Sequence, residues 1–364
     1  MKGQDRNQTK NSITGVVAAA SFLAFCLMLL PLAFASQSGR QPNQSDKSNQ
    51  NKRPGTPSAP PAGQDNRPRR TADEPQDEKP LKLTADLVTV ITSVTDAAGN
   101  QVNDLSERDF QVYEDERPQQ IAGFYREGQL PLRLIFLFDT SSSIRHRFEF
   151  EQRAAARFFR QVLQRGDQAA LMSVSVSTNE AKPRIEIELT SNTDELVNGL
   201  SRLHAEGATP LYDAMIGASG YIKPAEGRHV MVVLSDGTDT ASGSTLAQAL
   251  ADVQKADIVI YAVHSTGVAP SANVQDLAGE FVLKSMCEDT GGRAFFPPIF
   301  EEQRKEARDL DDIYRRIAAE VRAQFVLTYY STSQLKPGTF HTIRVEAKRP
   351  GLQVRARRGY YTGK

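Results

Sequence analysis

Four stretches of nearly unbroken apolar residues punctuate the middle of the chain: LRLIFLF (132–138), AALMSVSVS (169–177), HVMVVLS (229–235) and IVIYAVHS (258–265). Strands buried on both faces read this way, whereas strands with one wet face alternate. RIEIELT (184–190) does alternate and is expected at an edge. Between the runs the period changes. Phe150, Ala154, Phe158 and Val162 repeat every four residues, which predicts a helix with Gly166 as its C-terminal cap, and further helices are expected over 245–255 and 274–289. Strand and helix in alternation predict an α/β fold over 131–323, a doubly wound and mostly parallel sheet. In such sheets ligands collect at the carboxyl ends of the strands.

The flanks have a different texture. Before the α/β region, LTADLVTVITSVTD, DFQVYED and QQIAGFYRE alternate with period two around a turn at AAGNQV. After the helix that includes Ile313, Ile317 and Val321, the same texture returns in QFVLTYYS, FHTIRVEAK and LQVRARRGYY, separated by turns at 336–338 and at Pro350 and Gly351. Each flank alone is too thin for a core. The segments 81–130 and 324–364 are therefore expected to pack as one small β-sandwich, with the α/β domain inserted between them. Its shared core would hold Val88, Val90, Phe325, Leu327, Ile343 and Val345.

The amino end carries Lys2, Arg6 and Lys10 ahead of an apolar run that closes on AFASQ, with Ala33 and Ala35 as an A-x-A site. Residues 1–35 read as a secretory signal, or as an anchor if left uncleaved, and the rest of the chain is expected outside the cytoplasm: secreted, periplasmic or in the cell envelope. A lipid on Cys26 is disfavoured because Phe25 stands where a small residue should precede it. Residues 36–80 are rich in Gln, Asn, Ser, Pro and charge and read as a linker too polar to fold. RPRR (67–70) within it is followed at once by acids and reads as solvated chain. Charge adds a restriction. With 44 basic and 44 acidic residues there is no global field to draw nucleic acid, and a membrane enters only through the amino-terminal segment. Beyond the signal, Cys287 is the lone cysteine, so no internal disulfide is available; it reads as a buried, inert thiol.

Candidate chemistry sits where the apolar runs end. Asp139 follows the first run and opens D-x-S-x-S with Ser141 and Ser143; GATPLYDA places Thr209 just before a helix; VVLSDGTD places Asp236 at another strand end. Carboxylates and hydroxyls in three strand-end loops make a set of hard oxygens suited to Mg²⁺. Neither a phosphate-binding G-x-x-x-x-G-K-[ST] nor H-E-x-x-H occurs. Taken singly, the serines read as helix caps and Asp236 as the start of a turn. Asp213 reads equally as support for a metal or as a first-turn acid, Asp239 as a surface turn, and His146 as a silent exposed residue.

D-x-S-x-S, the threonine of GATPL and the aspartate of LSDGTD, in that order, resemble the metal-ion-dependent adhesion site of von Willebrand factor type A domains. The flanking strands, including VNDLSERDFQVYEDERPQQI, are similar to those of bacterial secreted proteins related to that family. The resemblance implies protein binding without catalysis. Ser141 and Ser143 would hold the ion directly, and Asp139, Thr209 and Asp236 directly or through water. The ion would be Mg²⁺, with Mn²⁺ or Ca²⁺ as alternatives, and the partner a protein that offers an Asp or Glu carboxylate. Two other readings compete. A metal-dependent phosphoryl-transfer hydrolase would use Asp139 as nucleophile, but its motif needs a second acid where Ser141 stands. A structural envelope scaffold without a working metal site is the other.

Overall fold

The computed structural model describes residues 87–126, 129–142, 145, 147–174, 184–265, 274–298, 303–333 and 336–362. The signal and linker stretches fall outside the described residues, as do Ser143 and His146. The chain begins with four short strands, β1 (Leu87–Thr95), β2 (Phe110–Glu114), β3 (Arg117–Gln119) and β4 (Ile121–Tyr125). It continues through β5 (Leu132–Asp139), α1 (Phe148–Val162), β6 (Gln168–Val174), β7 (Arg184–Thr190), α2 (Thr193–Ser201), α3 (Leu211–Ile222) and β8 (Arg228–Ser235). Then come α4 (Leu246–Lys255), β9 (Ile258–His264), α5 (Val274–Thr290), β10 (Arg293–Phe295) and α6 (Gln303–Arg322). Four strands close the chain: β11 (Phe325–Tyr330), β12 (Phe340–Ala347), β13 (Gln353–Ala356) and β14 (Gly359–Tyr361).

The central sheet has the order β10-β9-β8-β5-β6-β7. Every neighbouring pair is parallel except β6 and β7, whose antiparallel pairing puts the alternating strand at the edge. All residues of β8 and β9 are buried, the burial that an apolar run without alternation requires. Side chains of β5 point to two faces in turn. Leu134, Phe136 and Phe138 join a core with α1, α2 and α6, while Ile135 and Leu137 join another with α3, α4 and α5. From β5 the chain first moves to β6 on one side and later to β8 on the other, so the sheet reverses direction at β5. The crevice this reversal opens lies at the ends of β5 and β8, where Asp139 and Asp236 stand.

Helix α1 buries Phe148, Glu151, Ala154, Ala155, Phe158, Phe159 and Val162, a stripe that includes Ala154, Phe158 and Val162 of the four-residue repeat, with Phe150 half-buried beside it. Gly166 does not cap it. The helix ends against an extended Leu163, and Gly166 (φ 92°) sits in the next turn, which Asp167 holds by accepting from the Gln164 and Leu132 amides at 2.9 and 2.8 Å.

The flanking strands form two antiparallel four-stranded sheets, β13-β1-β11-β4 and β14-β12-β2-β3. Strand β11 starts three residues after the end of α6 and pairs along β1, with Val90 opposite Leu327. Val88, Val90, Phe325, Leu327, Ile343 and Val345 lie in one core cluster with Phe110, Val112 and Tyr360. The cluster thus draws on both sheets and on both ends of the chain.

Ion pairs join these sheets to the α/β region. Glu320 of α6 is buried and takes Arg293 of β10 at 3.0 Å and Arg355 of β13 at 2.6 Å. Nearby, Arg357 reaches Asp257 at 2.6 Å, and Arg358 reaches Glu288 and Asp289 at 2.8 and 2.9 Å. Gly291 (φ 83°) lets the chains touch, because a Cβ there would lie 2.6 Å from the Ala356 carbonyl carbon. Glu320→Gln keeps the shape of the carboxylate and strands two arginines that are each about a quarter exposed. The expected loss of stability is about 2–3 kcal/mol in urea unfolding. A change under about 0.5 kcal/mol would mean that the contact is not a working junction.

Candidate metal site at the strand ends

Asp139 ends β5 with no solvent exposure. One carboxylate oxygen accepts the Ser141 amide at 2.8 Å, a tight turn that brings the Ser141 side chain back over the strand end. The other accepts the Ser235 hydroxyl at 2.7 Å. Ser235 also accepts the Gly237 amide at 3.1 Å, so a single hydroxyl ties the end of β5 to the turn after β8. In that turn Asp236 is half-buried, and its carboxylate accepts the Thr238 amide at 2.9 Å.

The third loop is held from both sides. The Glu206 amide donates to the Thr140 carbonyl at 2.5 Å and the Ser142 amide to the Gly207 carbonyl at 3.4 Å. On its far side, the Thr209 amide donates to the Thr240 hydroxyl at 2.9 Å, while the Thr240 amide donates to the Thr209 carbonyl at the same distance. Asp139, Ser141, Thr209 and Asp236 are therefore brought to one edge by loops bonded to each other; Ser143 lies outside the described residues. Ser141 and Thr209 are both buried.

Helix α5 presses on the Asp236 turn. Gly237 (φ 79°) has no room for a side chain, since a Cβ would lie 2.3 Å from the Gly279 carbonyl oxygen; one on Gly279 would lie 2.2 Å from the Asp236 carbonyl oxygen.

Asp213 and Asp239 brace the same corner. Asp239 accepts the Tyr212 amide at 3.0 Å at the start of α3, as well as the Ser242 amide and hydroxyl. Asp213 accepts the Gly243 and Ser244 amides at 2.9 and 3.1 Å. Burial pushes the Asp213 carboxyl up, yet its hydrogen bonds from Ser244 and Gly243 outweigh that and hold it below its ordinary value.

Electrostatics set Asp139 apart. Burial pushes its carboxyl up to about 6; the bonds from Ser235 and Ser141 oppose the rise, and the charge of Asp236 adds to it. Two carboxylates close enough to repel, with hydroxyls and amides as the hydrogen-bond partners of Asp139 among the described residues, are a donor set that a hard divalent cation fits. Two residues passed over in the sequence also belong here. Ser235 bridges the loops, and its signal was a hydroxyl directly before Asp236. Glu151, wholly buried on α1, is raised well above its usual range by burial and also feels Arg147, Asp139 and Asp236. Its signal was an acid inside an apolar stripe.

The Asp139 shift predicts a pH dependence. Protonation competes with a cation for this carboxylate, so affinity should be level above about pH 6 and fall roughly tenfold per unit below it. Calorimetric titration with Mg²⁺ across that window checks the slope, and a flat profile would remove Asp139 from the ligand set.

Residues 134–304 match the family model of the von Willebrand factor type A domain. Among solved structures, the chain is similar to von Willebrand factor type A from Catenulispora acidiphila, with 12% identity over 68% of this chain and 71% of that one, at a TM-score of 0.42. It is similar to the SpRpn10 VWA domain at 14% identity over 50% and 93%, with a TM-score of 0.38. It is also similar to the D319A mutant of the PilB minor pilin from Streptococcus sanguinis at 12% identity over 54% of this chain, with a TM-score of 0.40; that match spans 63% of the pilin's length. No curated protein matches the chain. The α/β region at residues 134–304 is a von Willebrand factor type A domain, one of a family of protein-interaction and adhesion modules.

Proposed function

We propose that this domain binds a protein partner through a divalent cation held by Asp139, Ser141, Ser143, Thr209 and Asp236. Mg²⁺ is the ion the all-oxygen donor set favours, with Mn²⁺ or Ca²⁺ as substitutes. The observation that carries the reading is the wholly buried Asp139, held by Ser141 and Ser235 within reach of the charge of Asp236. When bound, the ion supplies a positive centre with a coordination position for a carboxylate from the partner. The protein's own contribution is rigidity: Ser235 locks the two strand ends together, and the Thr209–Thr240 pair fixes the third loop. A nucleophilic role for Asp139 is the weaker reading, since Ser141 stands where phosphoryl transfer of that kind needs a second acid.

In the same reading the chain works outside the cytoplasm, on the strength of the amino-terminal signal. Its β segments at 81–130 and 324–364 form one unit that carries the interaction domain as an insertion. Immobilised protein should capture a partner from an envelope fraction in Mg²⁺ and release it in EDTA. A partner that stays bound through EDTA, or that Asp139→Asn holds as well as wild type, would contradict the mechanism.

A further inference from the structure

Apart from the strand-end loops, a second group of ligating atoms lies in the flanking sheets. The β2–β3 hairpin turns on Asp115 and Glu116, both with positive φ (47° and 63°). That turn sets Glu114 and Asp115 against His341 of β12, the strand paired with β2. His341 Nδ1 stands 2.7 Å from an Asp115 oxygen and 3.9 Å from a Glu114 oxygen, and one ligating atom from each of the three residues lies within 4.8 Å of the others.

We propose that Glu114, Asp115 and His341 form a second divalent-cation site, one that takes a borderline ion such as Zn²⁺. Ligands bonded to one zinc ion at ~2.0–2.2 Å stand roughly 3–3.5 Å from one another. The observed 2.7 and 3.9 Å from the imidazole to its two carboxylate neighbours bracket that spacing. Two carboxylates balance its charge, and the imidazole favours zinc over the magnesium suited to an all-oxygen set.

The surroundings fix the ligands as such a site needs. Thr342 donates its amide and hydroxyl to the other Asp115 oxygen at 2.9 and 3.1 Å. Ser331, Tyr329 and Tyr360 donate hydroxyls to Glu114 at 2.6, 2.8 and 3.0 Å. The His341 ring stacks on Tyr360 at 5.6 Å. Among the described residues His341 Nε2 is buried without a hydrogen-bond partner, so a neutral ring carries its proton on Nδ1, facing Asp115. That proton is what the ion replaces. Access is from the Asp115 side, whose side chain is 40% exposed.

The test titrates Zn²⁺ into the chelator-stripped full chain with Mg²⁺ in excess, read by calorimetry. Asp115→Asn is the main variant because asparagine tolerates the left-handed turn and keeps an acceptor for Thr342; His341→Gln is the second. Wild type and Asp139→Asn should both bind one Zn²⁺, and each site variant should bind it more weakly by at least about tenfold. Overlaid thermal melts in the absence of zinc establish that Asp115→Asn folds. The site is refuted if wild type takes up no zinc, if both variants bind it as tightly as wild type, or if Asp139→Asn alone removes binding. The strand-end reading stands or falls separately, on the Mg²⁺ response.

Discussion

A chain that stops at Ala323 is expected to lose cooperative folding of its amino-terminal strands and to expose apolar surface. Strand β11 lies between β1 and β4 in one sheet, and β12 lies between β2 and β14 in the other. Cutting both out removes Phe325, Leu327, Tyr329, Ile343, Val345 and Tyr360 from the shared core and leaves Val88, Val90, Phe110 and Val112 facing water. Each side chain of this size stabilises by about 1.5–3 kcal/mol when fully buried, so the loss exceeds the ~5–15 kcal/mol that holds a typical domain together. Glu320 would also lose Arg355. Binding of a hydrophobic dye and light scattering on the truncated chain test this. A monodisperse product with a single sharp melt would show that the flanking strands do not depend on one another.

The second large effect is a crossover caused by Asp139→Asn. Raising the Asp139 carboxyl to about 6 means that its ionised form is disfavoured in the folded chain. The sign follows from linkage: stability present below the unfolded value near 4 is lost as pH rises through 6, an amount on the order of 3 kcal/mol without a cation. Asparagine never ionises, so in EDTA at pH 7.5 the variant should melt several degrees above wild type. It keeps an acceptor for the Ser141 amide. With Mg²⁺ the order should reverse, because wild type gains from binding and the variant lacks a charged ligand, which lowers affinity by about 10²–10³-fold. Equal melting temperatures in both buffers would contradict the electrostatic account of the site.

What could be read from the residues depended on distance along the chain. Burial on both faces forced apolar runs in β5, β8 and β9, and the alternation of β7 marked its edge, so the α/β sheet was visible in local pattern. Asp139, Thr209 and Asp236 stood out because a carboxylate or hydroxyl directly after or before a regular element is a local anomaly. The nine residues of α2 offered only Leu196 and Leu200 as an apolar face, too little to declare a helix. Glu114 and His341 were illegible for a different reason. They lie 227 positions apart, and only the pairing of β2 with β12 brings them together; a register is set by packing that no local period records. The placement of Gly166 failed likewise, because Asp167 holds the turn through the distant Leu132 amide.

The central claim is that a cation sits among the three strand-end loops, and it is tested most directly by locating the ion. Crystals of the full chain grown or soaked with Mn²⁺ should give an anomalous difference peak bounded by Asp139, Ser141, Thr209 and Asp236, absent from Asp139→Asn crystals treated alike. An empty strand-end crevice in manganese-soaked wild type, with the loops ordered, would contradict the account.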